Sequence, residues 1–336
     1  MPTSLAEARN NATDDLDLTV IDEFRKSSDI LDRLTFDNTV NPTGGGDTLT
    51  YGYRRLITQA NAEFRQLNSE YTPAEVQTQR YTVDLVPLGG SFRVDRVISR
   101  IGASASGAVA LNMSQKIKAA RSKFADAVIN GDKATDTAGF DGLSKILTGT
   151  DTEYLPLANG VASGFLDWTS INDKAAALAA QRHIDSWLAA MDDTPDVIYG
   201  NRKTLALFKA IAAWTDQLDK GTDAFGRPVV SYNGIPLIDL KSKAGSNADV
   251  VGLVTRDPDG AGTGGNVTGL GDLYAIRFGL DGFHGASVAS VPLVQTWLPD
   301  FNSSGAVKLG EVEMGPLAPV LKATKAAAVL RNIKSA

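Results

Sequence analysis

The spacing of apolar residues changes period along this chain, and each change marks a new element. Between Asp47 and Arg100 apolar and polar residues alternate, first as Thr48-Leu49-Thr50-Tyr51-Gly52-Tyr53, then as Gln79-Arg80-Tyr81-Thr82-Val83-Asp84-Leu85-Val86. A period of two predicts half-buried strands. A third run from Ser91 to Ile98, with Phe92 and Val94 on one face, predicts a strand leading back to the core. About 25 polar residues separate the first two runs, among them Glu63-Phe64-Arg65 and Glu70-Tyr71-Thr72-Pro73. So long a connection without structure of its own is unusual inside a compact domain. It predicts an extended hairpin that lies on another copy of the chain.

From Ser106 the period becomes helical. Val109, Met113, Ile117, Ala120, Phe124 and Val128 recur every three or four residues and form one stripe, while Lys116, Lys118, Arg121, Lys123 and Asp126 take other faces. About 25 residues predict a helix of roughly 37 Å. Asn130-Gly131 supplies the pair that tolerates a left-handed stop, and a short polar loop leads on to Gly139-Phe140-Asp141-Gly142-Leu143. A second helix is predicted from Ser170 to Met191, a buried strand over 196–199 and a third helix from Leu205 to Trp214. Short strands follow at 234–240, 250–254 and 272–278, an alternation that marks an α/β or α+β subdomain at about 193–289. Residues 286–332 are again β-rich, with Pro292, Pro299, Pro316 and Pro319 limiting strand length or placing strands at edges. At the other end, residues 1–45 are polar, with Val20, Phe24 and Ile30-Leu31 spaced as one short helix face. They read as a terminal arm, broken from the rest by Asn41-Pro42-Thr43-Gly44-Gly45-Gly46.

Composition narrows the class without naming it. The 336 residues carry 39 acidic and 33 basic side chains, a formal charge of −6, with 43% hydrophobic and 21% charged residues. This is an ordinary globular balance, and it lacks the basic excess of a dedicated nucleic-acid binder. The absence of cysteine excludes disulfides, thiolate metal sites and cysteine nucleophiles. No apolar window approaches the ~20 residues of a transmembrane helix. The N-terminal MPTSLAEARNNATDDLDLTV has neither the basic flank nor the apolar run of a signal peptide. We therefore expect assembly inside the cell and no membrane partner.

Candidate chemistry is sparse. Gly260-Ala261-Gly262-Thr263-Gly264-Gly265 satisfies G-x-G-x-x-G, but a dinucleotide site needs that loop to open into a helix whose amides receive the pyrophosphate. Two further glycines, Gly269 and Gly271, and another strand follow instead, so the segment reads as a contact loop. Asp257-Pro258-Asp259-Gly260 lacks the later oxygen ligands of a calcium loop. Of the two histidines, His183 sits among helix charges and His284 in an apparent turn, Gly282-Phe283-His284-Gly285. The acidic pairs Asp14-Asp15 and Asp192-Asp193 suit helix ends or solvated loops. No catalytic residue, cofactor or metal site is expected. Arg54-Arg55 is the one basic pair on a predicted extended element, and an ion pair with an acidic neighbouring subunit is the preferred reading. With Arg65, Glu70, Tyr71 and Arg80 it forms the set of candidate inter-subunit contacts.

The order of these elements resembles the major capsid proteins of tailed bacteriophages with the Hong Kong 97-like fold. Three patches carry the resemblance: FADAVINGD (Phe124 to Asp132), GFDGL (Gly139 to Leu143) and VIYGNRKTL (Val197 to Leu205). The resemblance implies an α+β fold with an N-terminal arm at 1–46, an E-loop hairpin at 47–98 and a peripheral domain with a spine helix at 99–192. It further implies an axial domain at 193–289 and a return to the peripheral domain at 290–336. In function it implies a head protein that forms pentamers and hexamers of an icosahedral shell around double-stranded DNA, assembled in a bacterial host's cytoplasm and found in the virion. The implied partners are other copies of itself, portal and scaffolding proteins, and a decoration protein. A mildly acidic wall would enclose DNA without gripping it. Only about 46 residues precede the β region, which implies a mature form or a separate scaffold. No lysine lies between Lys26 and Lys116, so an isopeptide weld from an E-loop lysine is chemically impossible and non-covalent contacts are expected. The alternatives are an encapsulin-type nanocompartment shell and, more remotely, a nucleotide-binding enzyme using the 260–265 loop.

Overall fold

The structure, a computed structural model, describes residues 29–40, 48–58, 60–73, 75–97, 103–222, 228–260, 265–289 and 291–336. A short helix, α1 (Asp29–Arg33), precedes β1 (Phe36–Val40). Strands β2 (Thr50–Leu56) and β3 (Thr78–Asp84) pair only with each other, and β4 (Val86–Asp95) follows after one residue. Helix α2 (Ala103–Asn130) has 28 residues, about 42 Å at 1.5 Å per residue. The one-turn helix α3 (Leu143–Ile146) and the short strands β5 (Glu153–Tyr154) and β6 (Leu166–Asp167) lead to α4 (Lys174–Leu188). Then come β7 (Val197–Gly200), α5 (Arg202–Trp214), β8 (Leu218–Thr222), β9 (Pro228–Tyr232), β10 (Ile235–Asp239) and β11 (Val254–Arg256). The chain closes with β12 (Val267–Ile276), β13 (Phe283–Val288), β14 (Val294–Trp297), β15 (Val307–Leu321) and β16 (Ala327–Lys334).

A nine-stranded sheet runs β5-β16-β12-β7-β10-β9-β8, with β11 on β12 and β6 on β16. Its central strands face two cores. Val197 and Tyr199 of β7, Tyr274 and Ile276 of β12, and Ala327 and Val329 of β16 enter one. Ile198, Leu273, Ala275, Ala328 and Leu330 enter the other. A strand covered on both faces has no polar side, which is why VIYG and AAAVL read as unbroken apolar runs. The second core is closed by α4 and α5 through Ile184, Trp187, Leu205 and Phe208. Each of those helices starts on a side-chain cap: Asp173 accepts from the Ala176 amide at 2.7 Å, and Asn201 from the Lys203 amide at 2.9 Å. The first core is closed by α2 and by the five-stranded sheet β1-β13-β15-β14, in which β4 also pairs with β15.

The predicted spine helix forms, but its stripe is unevenly used. Ala120, Phe124 and Val128 are buried, whereas Val109, Met113 and Ile117 are half-buried and line an open apolar groove with Leu298, Pro299 and Phe301. The Asn130-Gly131 stop and GFDGL turn out to be one device. The Gly142 amide donates to the Gly131 carbonyl at 2.8 Å, Phe140 packs edge-on against Phe124, and Asp141 accepts from the Lys133 amide. A Cβ on Gly142 would stand 2.6 Å from both the Ala127 carbonyl oxygen and the Gly131 nitrogen. These are backbone atoms that cannot swing away. Gly142→Ala should therefore cost about 1–3 kcal/mol through overpacking. Gly252→Ala, whose new Cβ would meet nothing closer than 3.8 Å, should leave the denaturation midpoint nearly unchanged; equal losses in both would refute this reading of the junction.

Several expected boundaries move. Residues 29–40, counted with the arm, belong to the body: Ile30 is fully buried, the Tyr199 hydroxyl donates to Asp29, and β1 pairs with β13. The rest of the predicted arm, 1–28, and the 41–46 break lie outside the described residues. The predicted 47–98 hairpin divides, because only β2 and β3 form the ribbon while β4 joins β15 in the body sheet. Helix α4, placed with 99–192, packs on the second core beside α5. The 193–289 and 290–336 segments exchange strands. β13 joins the five-stranded sheet, and β16 inserts between β5 and β12 of the nine-stranded one. The predicted strand at 250–254 does not form, β11 beginning only at Val254, and residues 267–271, expected as loop, already belong to β12.

Candidate inter-subunit surface

The ribbon of β2 and β3 is built in two parts with opposite character. At its base, Tyr53 and Tyr81 face each other across the pair and stack, with centroids 5.7 Å apart and planes at 19°. The Arg55 guanidinium caps them, 4.5 Å from the Tyr81 ring centre. Its Nε donates to the Lys322 carbonyl at 2.7 Å, and the Tyr53 hydroxyl donates to the Leu321 carbonyl at 3.1 Å. Tyr51 is buried and donates to Asp37 on β1 at 2.8 Å. Lys133 ties in the other edge through Asp84 at 2.8 Å, and its ammonium holds that carboxyl below the usual carboxylate range. The base is therefore anchored to the end of β15 by fixed aromatic and backbone contacts.

Beyond the base the ribbon turns to solvent. Every described residue from Leu56 to Arg80 is exposed, including Ile57, Phe64, Leu67, Tyr71 and Val76. The tip holds only itself. The Thr72 amide donates to Glu63 at 2.9 Å, and Arg65 donates to the Ser69 carbonyl at 3.1 Å while lying 5.5 Å from the Tyr71 ring centre. Six large apolar side chains on one solvated loop form the kind of surface that marks an interaction site.

Of the six predicted contact residues, Arg55 lies at the ribbon base. It is taken up within its own chain by the alternation of the strand, which turns Arg54 to the opposite face. Arg54 and Arg80 sit directly opposite each other in the ribbon and have no ion-pair partner among the described residues. Like charges placed so are unfavourable in isolation and would be relieved by a carboxylate from elsewhere. Arg65, Glu70 and Tyr71 lie on the exposed tip. Sequence reasoning missed the tyrosine stack, although Tyr51, Tyr53 and Tyr81 at alternate positions were its visible trace.

The remaining motifs resolve simply. Residues 261–264 lie outside the described residues, but Val267 opens a strand and not a helix, so no helix amides await a pyrophosphate after this loop. Asp257 accepts from the Asp259 amide at 3.2 Å, a local turn. His183 is half-buried with its Nδ1 2.7 Å from the Tyr154 hydroxyl, and burial lowers its pKa. His284 is not in a turn: it is fully buried in β13. Among the described residues no three acidic or histidine side chains converge as metal ligands, and no helix is long and apolar enough to cross a membrane.

A projecting two-stranded ribbon, a long helix packed on a five-stranded sheet, and a mixed nine-stranded sheet backed by two helices define the Hong Kong 97-like capsid-shell fold. Solved structures bear this out along the whole chain. The SrpI encapsulin of Synechococcus elongatus, in its holo complex, is similar over 100% of this chain and 97% of its own, with TM-score 0.60 and 12% identity. The capsid of the native GTA particle is similar over 98% and 97%, with TM-score 0.58 and 15% identity. A chain of Gordonia phage Cozz is similar over 98% and 95%, with TM-score 0.57 and 12% identity. Identity this low speaks for the fold and for nothing finer. No protein-family model and no curated protein sequence matches the chain.

Proposed function

We propose that this chain is the major head protein of a tailed double-stranded DNA phage. Copies of it form pentamers and hexamers that close into an icosahedral shell around the genome. The observation that carries the reading is the ribbon, anchored at its base yet exposed at every described residue from Leu56 to Arg80, with six large apolar side chains. Such a segment stabilises nothing in its own subunit, and burial against the next copy gives it a purpose. Many such contacts repeated around a ring produce avidity without any single strong site. The domain roles follow: residues 29–40 root an N-terminal arm, the β2–β3 ribbon is the E-loop, α2 is the spine, and the sheet end at β8–β10 lies toward the ring axis. Portal, scaffolding and decoration proteins are the further partners of this reading. The net charge of −6 suits a wall that encloses DNA without holding it.

The test is particle size and strength. Purified protein should form shells of megadalton mass by light scattering and negative-stain microscopy. Boiling in SDS should return single chains only, since the sequence has neither cysteine nor a lysine between Lys26 and Lys116. A monodisperse monomer under all assembly conditions would refute the proposal. The likeness to an encapsulin favours a second reading, a nanocompartment shell. Particles carrying DNA support the first, and particles carrying a co-purifying enzyme the second.

A further inference from the structure

The His284 ring is 0% exposed, and neither of its nitrogens makes a hydrogen bond. It sits where three elements meet. β13 pairs in parallel with β1, Phe36 opposite Gly285, and antiparallel with β15, His284 opposite Val320. From the ribbon, Tyr51 packs against the imidazole edge to face, with centroids 5.7 Å apart and planes at 71°. The charged and titratable groups around the ring are Asp37 on β1, Tyr51 on β2, Lys322 just after β15 and Asp281 in the turn before β13. Tyr53, next on the same face of β2, turns its hydroxyl away to the Leu321 carbonyl.

Each nearby acceptor is already engaged by another donor. Asp37 already accepts from Thr39 and Tyr51 and pairs with Lys322 at 3.7 Å. The Gly282 carbonyl accepts from the Lys322 amide at 3.0 Å, and Asp281 is paired with Arg277 at 3.0 Å. Burial first, and the Lys322 charge second, hold this imidazole below its ordinary pKa, outweighing Asp37, the Gly282 backbone and Asp281, which pull the other way. An imidazolium would thus be a buried cation beside a lysine, which a closed packing does not tolerate.

We propose that His284 is a proton-operated latch: on taking a proton it releases β1 and the ribbon base β2 from β13. Acid would thereby loosen the two segments that reach away from the body. The inference rests on the assembly reading only for that last consequence, since the latch itself acts within one subunit. The sign follows from linkage. The closed form keeps the ring neutral, and the opened form binds a proton below the ordinary histidine pKa of about 6.5. The latch is therefore fully closed above that pH. Opening grows about ten-fold per pH unit below it, until the buried ring itself titrates.

Hydrogen–deuterium exchange on the full chain in its assembled state tests this, after correction for the intrinsic pH dependence of exchange. Protection of residues 36–40 and 50–56 should fall about 15-fold between pH 6.5 and 5.0, while the nine-stranded sheet keeps its protection. His284→Leu and His284→Gln should abolish that fall, and His183→Gln should leave it intact. Two substitutions are used so that one failing to fold does not decide the matter. Protection independent of pH in the natural protein, or the same fall in a His284 variant, would overturn the latch. Failure of the assembly reading would show separately, as absence of shells at every pH.

Discussion

Joining Leu56 to Thr78 through an Asn-Gly turn, with residues 57–77 removed, should leave a folded subunit that forms no shells. Leu56 and Thr78 are already paired across the ribbon, and a two-residue turn of this type suits such a closure. Tyr53, Arg55 and Tyr81 remain in place, so the base keeps its contacts with Leu321 and Lys322. The thermal midpoint of the free subunit should not move, because every described residue removed is exposed. What disappears is surface for the neighbour. Large apolar side chains contribute about 1.5–3 kcal/mol each when fully buried, so the five removed, Ile57, Phe64, Leu67, Tyr71 and Val76, represent a gross term on the order of 10 kcal/mol per subunit. Ordering the tip offsets part of this, yet the remainder recurs at every contact of the shell. Normal shells from the shortened chain, seen by microscopy, would sink the assignment of the ribbon to assembly.

A second large effect is expected inside the subunit, at Asp272. Its carboxylate receives Arg256 through two guanidinium nitrogens, Arg331 at 3.4 Å and the Asn332 amide at 3.1 Å. Arg331, 8% exposed, also reaches Glu153, Ser144 and Thr148. The network thus binds β12 and β16 to β11 and to the segment that follows α3. Asp272→Ala strips an acceptor from Arg256 and from the buried Arg331 guanidinium, and breaking a buried pair costs about 3–5 kcal/mol. The subunit's thermal midpoint should fall by roughly 5 °C. Asp281→Ala removes an ion pair of the same chemistry at a carboxylate that is 76% exposed, and should leave the midpoint where it is. Equal shifts for the two would mean that burial is not what gives Asp272 its weight.

Local features of the chain were legible in proportion to how local their physics is. The stripe from Val109 to Val128, the Asn130-Gly131 stop and the GFDGL turn all depend on residues within one helix and one loop. They were read correctly, though their union through Gly131 and Gly142 was not visible. The strands VIYG and AAAVL announced two-sided burial by lacking a polar face. Arg54 and Arg55 were another matter. Alternation puts adjacent residues on opposite faces, but it does not say which face meets the body, and the Arg55 contact is with carbonyls more than 260 positions away. His284 was misread for a similar reason. Glycines at 282 and 285 resemble a turn until β1 and β15 are seen to press on both edges of β13.

By itself the sequence determined the main helices and the ribbon strands, their order, the exposed connection between the ribbon strands and the absence of sulfur or lysine chemistry from it. These follow from side-chain period, backbone propensity and residue inventory, which act over a few positions. Only the tertiary structure decided that β16 enters the nine-stranded sheet and β13 the five-stranded one. It alone showed that α4 joins the second core and that Tyr51, Asp37, Lys322 and His284 meet at the root of the ribbon. Strand partners are chosen by the burial of whole faces across distant parts of the chain, and no local pattern of apolar residues records that choice.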